Sequence, residues 1–164
     1  MLTSDGPRVI EFNVRFGDPE AEAILPLVGG RFTDLLMGAA HGTLDAAATT
    51  REPGAAVVVA IADAGYPEQI TAGGSIEGLE ALEQRGGVTV FGAGLERGES
   101  GWRLRGGRAA FVMARGDTVA GARLEVYRAI DSLDGRGWRC RRDVAGPASE
   151  AGVTRPDVVR GGMA

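Results

Sequence analysis

The feature that most constrains this chain is an unbroken apolar run rich in valine at residues 55–62, which predicts a strand buried on both faces. Such a strand needs pairing partners and cover, and the residues after it offer both. Residues 88–91, 102–105 and 108–114 are short β-prone stretches divided by glycine-bearing turns, the pattern of an antiparallel meander. Asp117 can cap a helix on which Val119, Ala122, Val126, Ile130 and Leu133 form one apolar stripe facing that sheet. A short helical piece is expected at residues 79–84, after a Gly65-Tyr66-Pro67 loop and a Gly73-Gly74 turn, and a last strand at residues 138–140.

Upstream, residues 1–16 read as a β-hairpin with Ser4-Asp5-Gly6-Pro7 at its turn. In residues 18–41, Leu25, Val28, Phe32, Leu35, Leu36, Ala39 and Ala40 recur at helical spacing, interrupted by Pro26 and Gly29-Gly30. Two short helices ending near Gly42 are therefore expected. A polar loop fills residues 45–54. Three divisions follow: 1–54, 55–144, and a tail at 145–164 where Pro, Gly, Ser and isolated charges replace periodicity, predicting disorder. The fold class expected is α+β.

With 27 glycines and 5% aromatics, the core must rest on Val, Ile, Leu and Ala. The net charge of −4 argues against broad attraction to nucleic acid or anionic lipid, so any anion site must be local. The basic run at residues 136–142, with Trp138 inside it, could grip phosphate and base, but on so acidic a chain it reads as a solvated segment. All 18 cationic side chains are arginine. The absence of lysine excludes Schiff-base chemistry and lysine-linked carrier groups. Cys140 is the single cysteine, which excludes an internal disulfide and a cysteine zinc cluster, and it reads as a small buried residue. No apolar stretch approaches the roughly 20 residues of a bilayer span, so a soluble, cytoplasmic protein with no membrane or nucleic-acid partner is expected.

Four further signals have plain structural explanations. Gly92-Ala93-Gly94 followed by Gly98 superficially fits a dinucleotide fingerprint, but the last glycine is one place late and no helix follows, so a hairpin loop is expected. His41 suits a helix end rather than a catalytic base. Trp102 and Trp138 suit strand packing. Gly106-Gly107-Arg108 reads as a hairpin turn, although its amides and guanidinium could also cradle an anion.

The segment with the most chemistry is residues 8–20. Strand alternation sends Ile10, Phe12, Val14 and Phe16 to one face and Glu11, Asn13 and Arg15 to the other. An amphipathic edge strand with a solvated face would explain the pattern alone. The residue types suggest more: a carboxylate and a carboxamide two positions apart lie about 7 Å along a strand, where they can share magnesium held on a triphosphate. An arginine one step further can stabilise charge on a transferring phosphoryl group.

Glu11-Phe12-Asn13-Val14-Arg15-Phe16-Gly17-Asp18-Pro19-Glu20 resembles the closing strand of ATP-grasp ligases, in the form found in the glycinamide ribonucleotide synthetase family. Gly65-Tyr66-Pro67, Ile76-Glu77-Gly78-Leu79, Val90-Phe91-Gly92-Ala93-Gly94, Gly106-Gly107-Arg108, Gly116-Asp117-Thr118 and Arg142-Asp143-Val144 resemble, in order, motifs of that family's C-terminal domain. The resemblance covers nearly everything before the tail.

It implies the end of an ATP-grasp domain followed by a small strand-rich domain similar to a barrel-sandwich hybrid. It also implies an ATP-dependent carbon-nitrogen ligase of purine synthesis, joining glycine to phosphoribosylamine through an acyl-phosphate. Glu11 and Asn13 would ligate Mg2+ or Mn2+, Arg15 would be catalytic at the transferring phosphate, and Asp18 and Arg108 would bind substrate. ATP would be the co-substrate. The family's usual His-Ala-Gly-Thr after the Phe91 strand is replaced by Gly92-Ala93-Gly94-Leu95, and Arg105 stands where asparagine is usual. The nucleotide-covering elements lie upstream in the family, so the chain is expected to be a fragment, inactive without a separate N-terminal half. The alternative is a noncatalytic binding or scaffold module derived from the same enzyme.

Overall fold

The computed structural model of the protein describes residues 2–12, 14–71, 73–98 and 101–146. In chain order they form β1 (Leu2–Thr3), β2 (Gly6–Pro7), α1 (Glu20–Ile24), a 3-10 turn at Leu25–Leu27, β3 (Val28–Gly30), α2 (Phe32–His41), a second 3-10 turn at Ala46–Ala48 and β4 (Thr49–Arg51). There follow β5 (Ala55–Asp63), β6 (Ser75–Glu77), α3 (Leu79–Glu83), β7 (Val88–Gly92), β8 (Leu95–Gly98), β9 (Gly101–Leu104), β10 (Arg108–Gly116), α4 (Val119–Asp131), β11 (Asp134–Arg136) and β12 (Trp138–Cys140). This is a mixed α and β protein with many strands and few helices. Among the described residues no helix is long and apolar enough to cross a membrane.

The valine-rich run becomes β5, an inner strand of a four-stranded sheet ordered β12-β5-β10-β7. It pairs antiparallel with β10, Val59 opposite Val112 and Ala55 opposite Gly116. One face presents Val57, Val59, Ile61, Val112 and Ala114 to α4, which buries Ala122, Val126, Ala129 and Ile130. Each large aliphatic side chain so covered contributes about 1.5–3 kcal/mol. Val119, expected on the stripe, is 53% exposed because it opens the first turn, beyond the sheet's cover. Thr118, not Asp117, caps α4, its Oγ1 accepting from the Gly121 amide at 3.1 Å. Gly116 lets this helix approach closely: a Cβ there would lie 2.5 Å from the Ala122 nitrogen.

A second four-stranded sheet is ordered β11-β6-β9-β8. Ile76 and Leu104 from it join the same hydrophobic core, with Leu95 and Trp102 packed at its edge. The expected meander is thus divided: β7 and β8 follow each other in sequence yet belong to different sheets, because the tight Ala93-Gly94 link turns the chain from one layer to the other. Cys140 and Trp138 are buried as expected, and Trp102 donates from Nε1 to Glu80 at 2.9 Å. His41 ends α2 just before the left-handed Gly42.

The leading residues depart from expectation. The hairpin is reduced to the pairs Leu2–Pro7 and Thr3–Gly6. Residues 8–12 and 14–16 take no strand assignment, and Phe12 and Val14 are 85% and 96% exposed. A strand acquires its hydrogen bonds and its buried face from neighbours, and no other described strand pairs here. The polar loop at residues 45–54 contains β4, paired with β3 through the Val28–Arg51 and Gly30–Thr49 registers. Of the tail, residues 147–164 lie outside the described residues.

Candidate functional site

Arg108 opens β10, and Asp18 lies two residues before α1. The structure brings these two candidate substrate-binding residues together across 90 positions of sequence. Arg108 Nη1 donates to Asp18 Oδ1 at 3.0 Å and to the Asp18 carbonyl at 3.1 Å, and Nη2 donates to Oδ2 at 3.2 Å. The guanidinium carbon sits 5.4 Å from the Phe111 ring centroid, so the side chain is held from below by an aromatic face. Both partners retain solvent contact, at 37% and 52% side-chain exposure, which places the ion pair at a surface rather than in the core.

The Gly65-Tyr66-Pro67 loop packs on the same corner. A Cβ on Gly107 would fall 2.2 Å from a Tyr66 ring carbon, so glycine there lets the aromatic ring lie directly on the backbone before Arg108. The loop is organised by Asp63, a fully buried carboxylate at the end of β5. Its Oδ1 accepts from the Gly65 amide at 2.9 Å, the Thr71 amide at 3.0 Å and Thr71 Oγ1 at 2.8 Å. Such donors satisfy a carboxylate that would otherwise be costly to bury. The Asp63 amide donates to the Gly107 carbonyl at 2.8 Å, tying loop and turn together.

From β12, Arg139 donates through Nη2 to the Tyr66 carbonyl, and Arg141 pairs with Asp143 through both Nε and Nη2. The hydrogen bond from Arg141 holds the Asp143 carboxyl below the usual carboxylate range. Arg108, Arg139 and Arg141 line one cavity of about 240 Å³ with Tyr66, Pro67 and the small side chains of Ala60 and Ala62. Behind it, Tyr127 of α4 donates to the Arg141 carbonyl at 2.9 Å and accepts from the Val144 amide at 3.2 Å, fixing the chain that leaves β12. Burial pushes this phenol up to about 12.

The other candidates are placed differently. Glu11 is exposed on the unpaired leading segment. Arg15, also exposed there, donates to the carbonyl of its neighbour Phe16 at 2.9 Å. Asn13 lies outside the described residues. The convergence expected from strand alternation therefore lacks the pairing that would enforce it. Among the described residues, no group of three or more His, Cys, Asp or Glu side chains could hold a metal ion. A magnesium held chiefly by nucleotide phosphates needs only one or two protein oxygens, and a Glu11 carboxylate beside a carboxamide fits that chemistry.

Sequence reasoning set Arg139 and Arg141 aside as solvated. The signal that could have found them is their alternation with Trp138 and Cys140: two side chains of that strand are buried, and the intervening arginines belong to the opposite face.

Comparison with known proteins agrees with this corner's motifs. Residues 56–147 match the family model described as phosphoribosylglycinamide synthetase, C domain. A phosphoribosylamine–glycine ligase of Rhodopirellula baltica is 35% identical over 149 residues, covering 90% of this chain and 34% of that protein. One from Phenylobacterium zucineum is 40% identical over 146 residues, covering 88% and 34%. The crystal structure of phosphoribosylamine–glycine ligase from Thermotoga maritima superposes with a TM-score of 0.70 at 31% identity, over 87% of this chain and 34% of that one. The chain spans about a third of the length of the relatives it matches.

Proposed function

The chain belongs to the phosphoribosylglycinamide synthetase C-domain family, and on that premise we propose that it is the C-terminal portion of a phosphoribosylamine–glycine ligase, joining glycine to phosphoribosylamine at the expense of ATP. It works in the cytoplasm, with the part of the enzyme that its relatives carry over their remaining two thirds, whether joined or separate. The leading segment is the end of an ATP-grasp domain, and the strand-rich unit after it is the barrel-sandwich-like C-terminal domain.

In this reading Glu11 and Asn13 hold the Mg2+ or Mn2+ that accompanies ATP, which neutralises phosphate charge when bound. Arg15 contacts the transferring phosphoryl group, and Asp18 and Arg108 position substrate. The observation that carries the reading is that similarity runs through both the leading segment and the strand-rich unit, at 35% identity over 149 residues, while Asp18 of the first is clasped by Arg108 of the second. A module kept only as a scaffold has no need of that pairing together with Glu11, Asn13 and Arg15.

The test is reconstitution. The chain is mixed with a separately expressed polypeptide covering the first two thirds of a relative, and formation of glycinamide ribonucleotide from ATP, glycine and phosphoribosylamine is followed. Neither piece alone should turn over, the mixture should, and Arg15→Ala should abolish the recovered activity. A mixture that associates but stays inactive would favour the noncatalytic module.

A further inference from the structure

We propose that the cavity bounded by Arg108, Arg139 and Arg141 is a phosphomonoester site that seats the phosphate of a sugar phosphate against Tyr66 and Pro67. The proposal deepens the ligase reading and rests on it for the sugar; the anion chemistry stands on the geometry alone. The chain as a whole carries a net charge of −4. At this corner three guanidiniums line one cavity of about 240 Å³. Asp18 and Asp143 pair with two of them, so these five side chains sum to one positive charge.

Those carboxylates orient the arginines without exhausting them. A guanidinium carries five N–H donors; Asp18 takes three hydrogen bonds from Arg108, which leaves two of its donors for a ligand. Arg139 is positioned through its bond to the Tyr66 carbonyl, and that loop is in turn fixed by the buried Asp63. The anchoring is rigid where a site needs it to be.

The arrangement discriminates among anions. A planar carboxylate is satisfied by the fork of one arginine, whereas guanidiniums reaching in from β10 and β12 suit a tetrahedral group whose oxygens point in several directions. Ala60 and Ala62 keep the floor low and apolar, and the Tyr66 and Pro67 rings offer a wall for the carbon skeleton next to the phosphate. The volume suits a small metabolite and is far too small for a nucleic acid or a protein segment.

The experiment titrates the full chain with inorganic phosphate, ribose 5-phosphate and acetate, following binding by calorimetry and by the arginine side-chain NMR signals. Saturable binding of both phosphates, tighter for ribose 5-phosphate and absent for acetate, is the expected result. Arg139→Gln should weaken it about tenfold or more, while Arg128→Gln, on the exposed side of α4, should leave it unchanged. If Arg139→Gln does not fold, Arg141→Gln reads the same site from its rim. No binding of either phosphate, equal binding of acetate, or a folded Arg139 or Arg141 variant that binds as the parent does would overturn the proposal. None of these readouts needs ligation, so the site can fail while the ligase reading stands, and the reverse.

Discussion

Residues 2–54 and residues 55–146 obey different rules of stability. In the second region the core residues reach near-zero exposure, Ile61, Val112, Ile130 and Leu133 among them; in the first, Ala48 alone among the described hydrophobic residues is buried. Helix α2 is ten residues long yet buries none of them. The difference is not composition, since both regions are rich in Leu, Val and Ala. It is whether the complementary surface lies within the chain. The β5–β10 pair and α4 complete one another, whereas Val9, Ile10, Phe12 and Val14 form a hydrophobic stretch that nothing described covers.

The largest expected effect tests that contrast directly. Ile130→Ala removes a fully buried side chain between α4 and the sheet, and should cost about 2–5 kcal/mol. Phe12→Ala removes a larger side chain that is 85% exposed, and should change stability by no more than about 0.5 kcal/mol. Urea unfolding followed by tryptophan fluorescence reads both, because Trp102 and Trp138 sit in the two sheets of the packed region. Comparable losses from the two substitutions would mean that the leading segment is packed in solution.

The same contrast explains what was legible in the sequence. Strand β5 and helix α4 were readable because their hydrophobic period and their burial are both set within the packed region. The β3–β4 ribbon was hidden: Val28-Gly29-Gly30 interrupts a helical pattern, and Thr49-Thr50-Arg51 has the polarity of a loop. Asp18 and Arg108 could each be singled out by motif, but no local pattern reports a contact 90 positions apart. Arg139 was missed because a run of arginines resembles a solvated surface unless the burial of its alternate neighbours is known. In the leading segment the alternation was read correctly as a pattern, and no strand formed, because pairing is supplied from outside the pattern.

A smaller effect should appear at high pH in the packed region only. Tyr127 sits between the guanidiniums of Arg123 and Arg142, at 5.1 and 5.4 Å, with its hydroxyl bonded into the chain after β12. Burial, opposed by the Val144 hydrogen bond and the arginine charges, raises its pKa from 10.0 to about 12. The protonated phenol therefore favours the folded state. Its contribution is whole below pH 10.0 and is lost as pH rises through about 12. Tyr127→Phe should flatten this alkaline decline in a series of urea midpoints, at the cost of the two hydroxyl hydrogen bonds at neutral pH, about 1–2 kcal/mol. An alkaline limb unchanged in the variant would assign the decline to other groups.

The smallest global effect belongs to the Asp18–Arg108 pair, and it is the one that joins the two regions. With side chains 52% and 37% exposed, the pair should contribute about 0–1 kcal/mol in a double-mutant cycle of Asp18→Asn and Arg108→Gln. Its local effect should exceed its global one. The amide of Ala21 in α1 donates to the Gly17 carbonyl at 3.0 Å, one residue from the clasp, so hydrogen exchange at Ala21 should accelerate in Arg108→Gln while the β5 and β10 amides keep their protection. This outcome follows because strand amides exchange through global opening and the α1 amide through local detachment. Acceleration spread evenly over α1 and the sheet would mean that the leading segment unfolds with the core, and the division between the two regions would be lost.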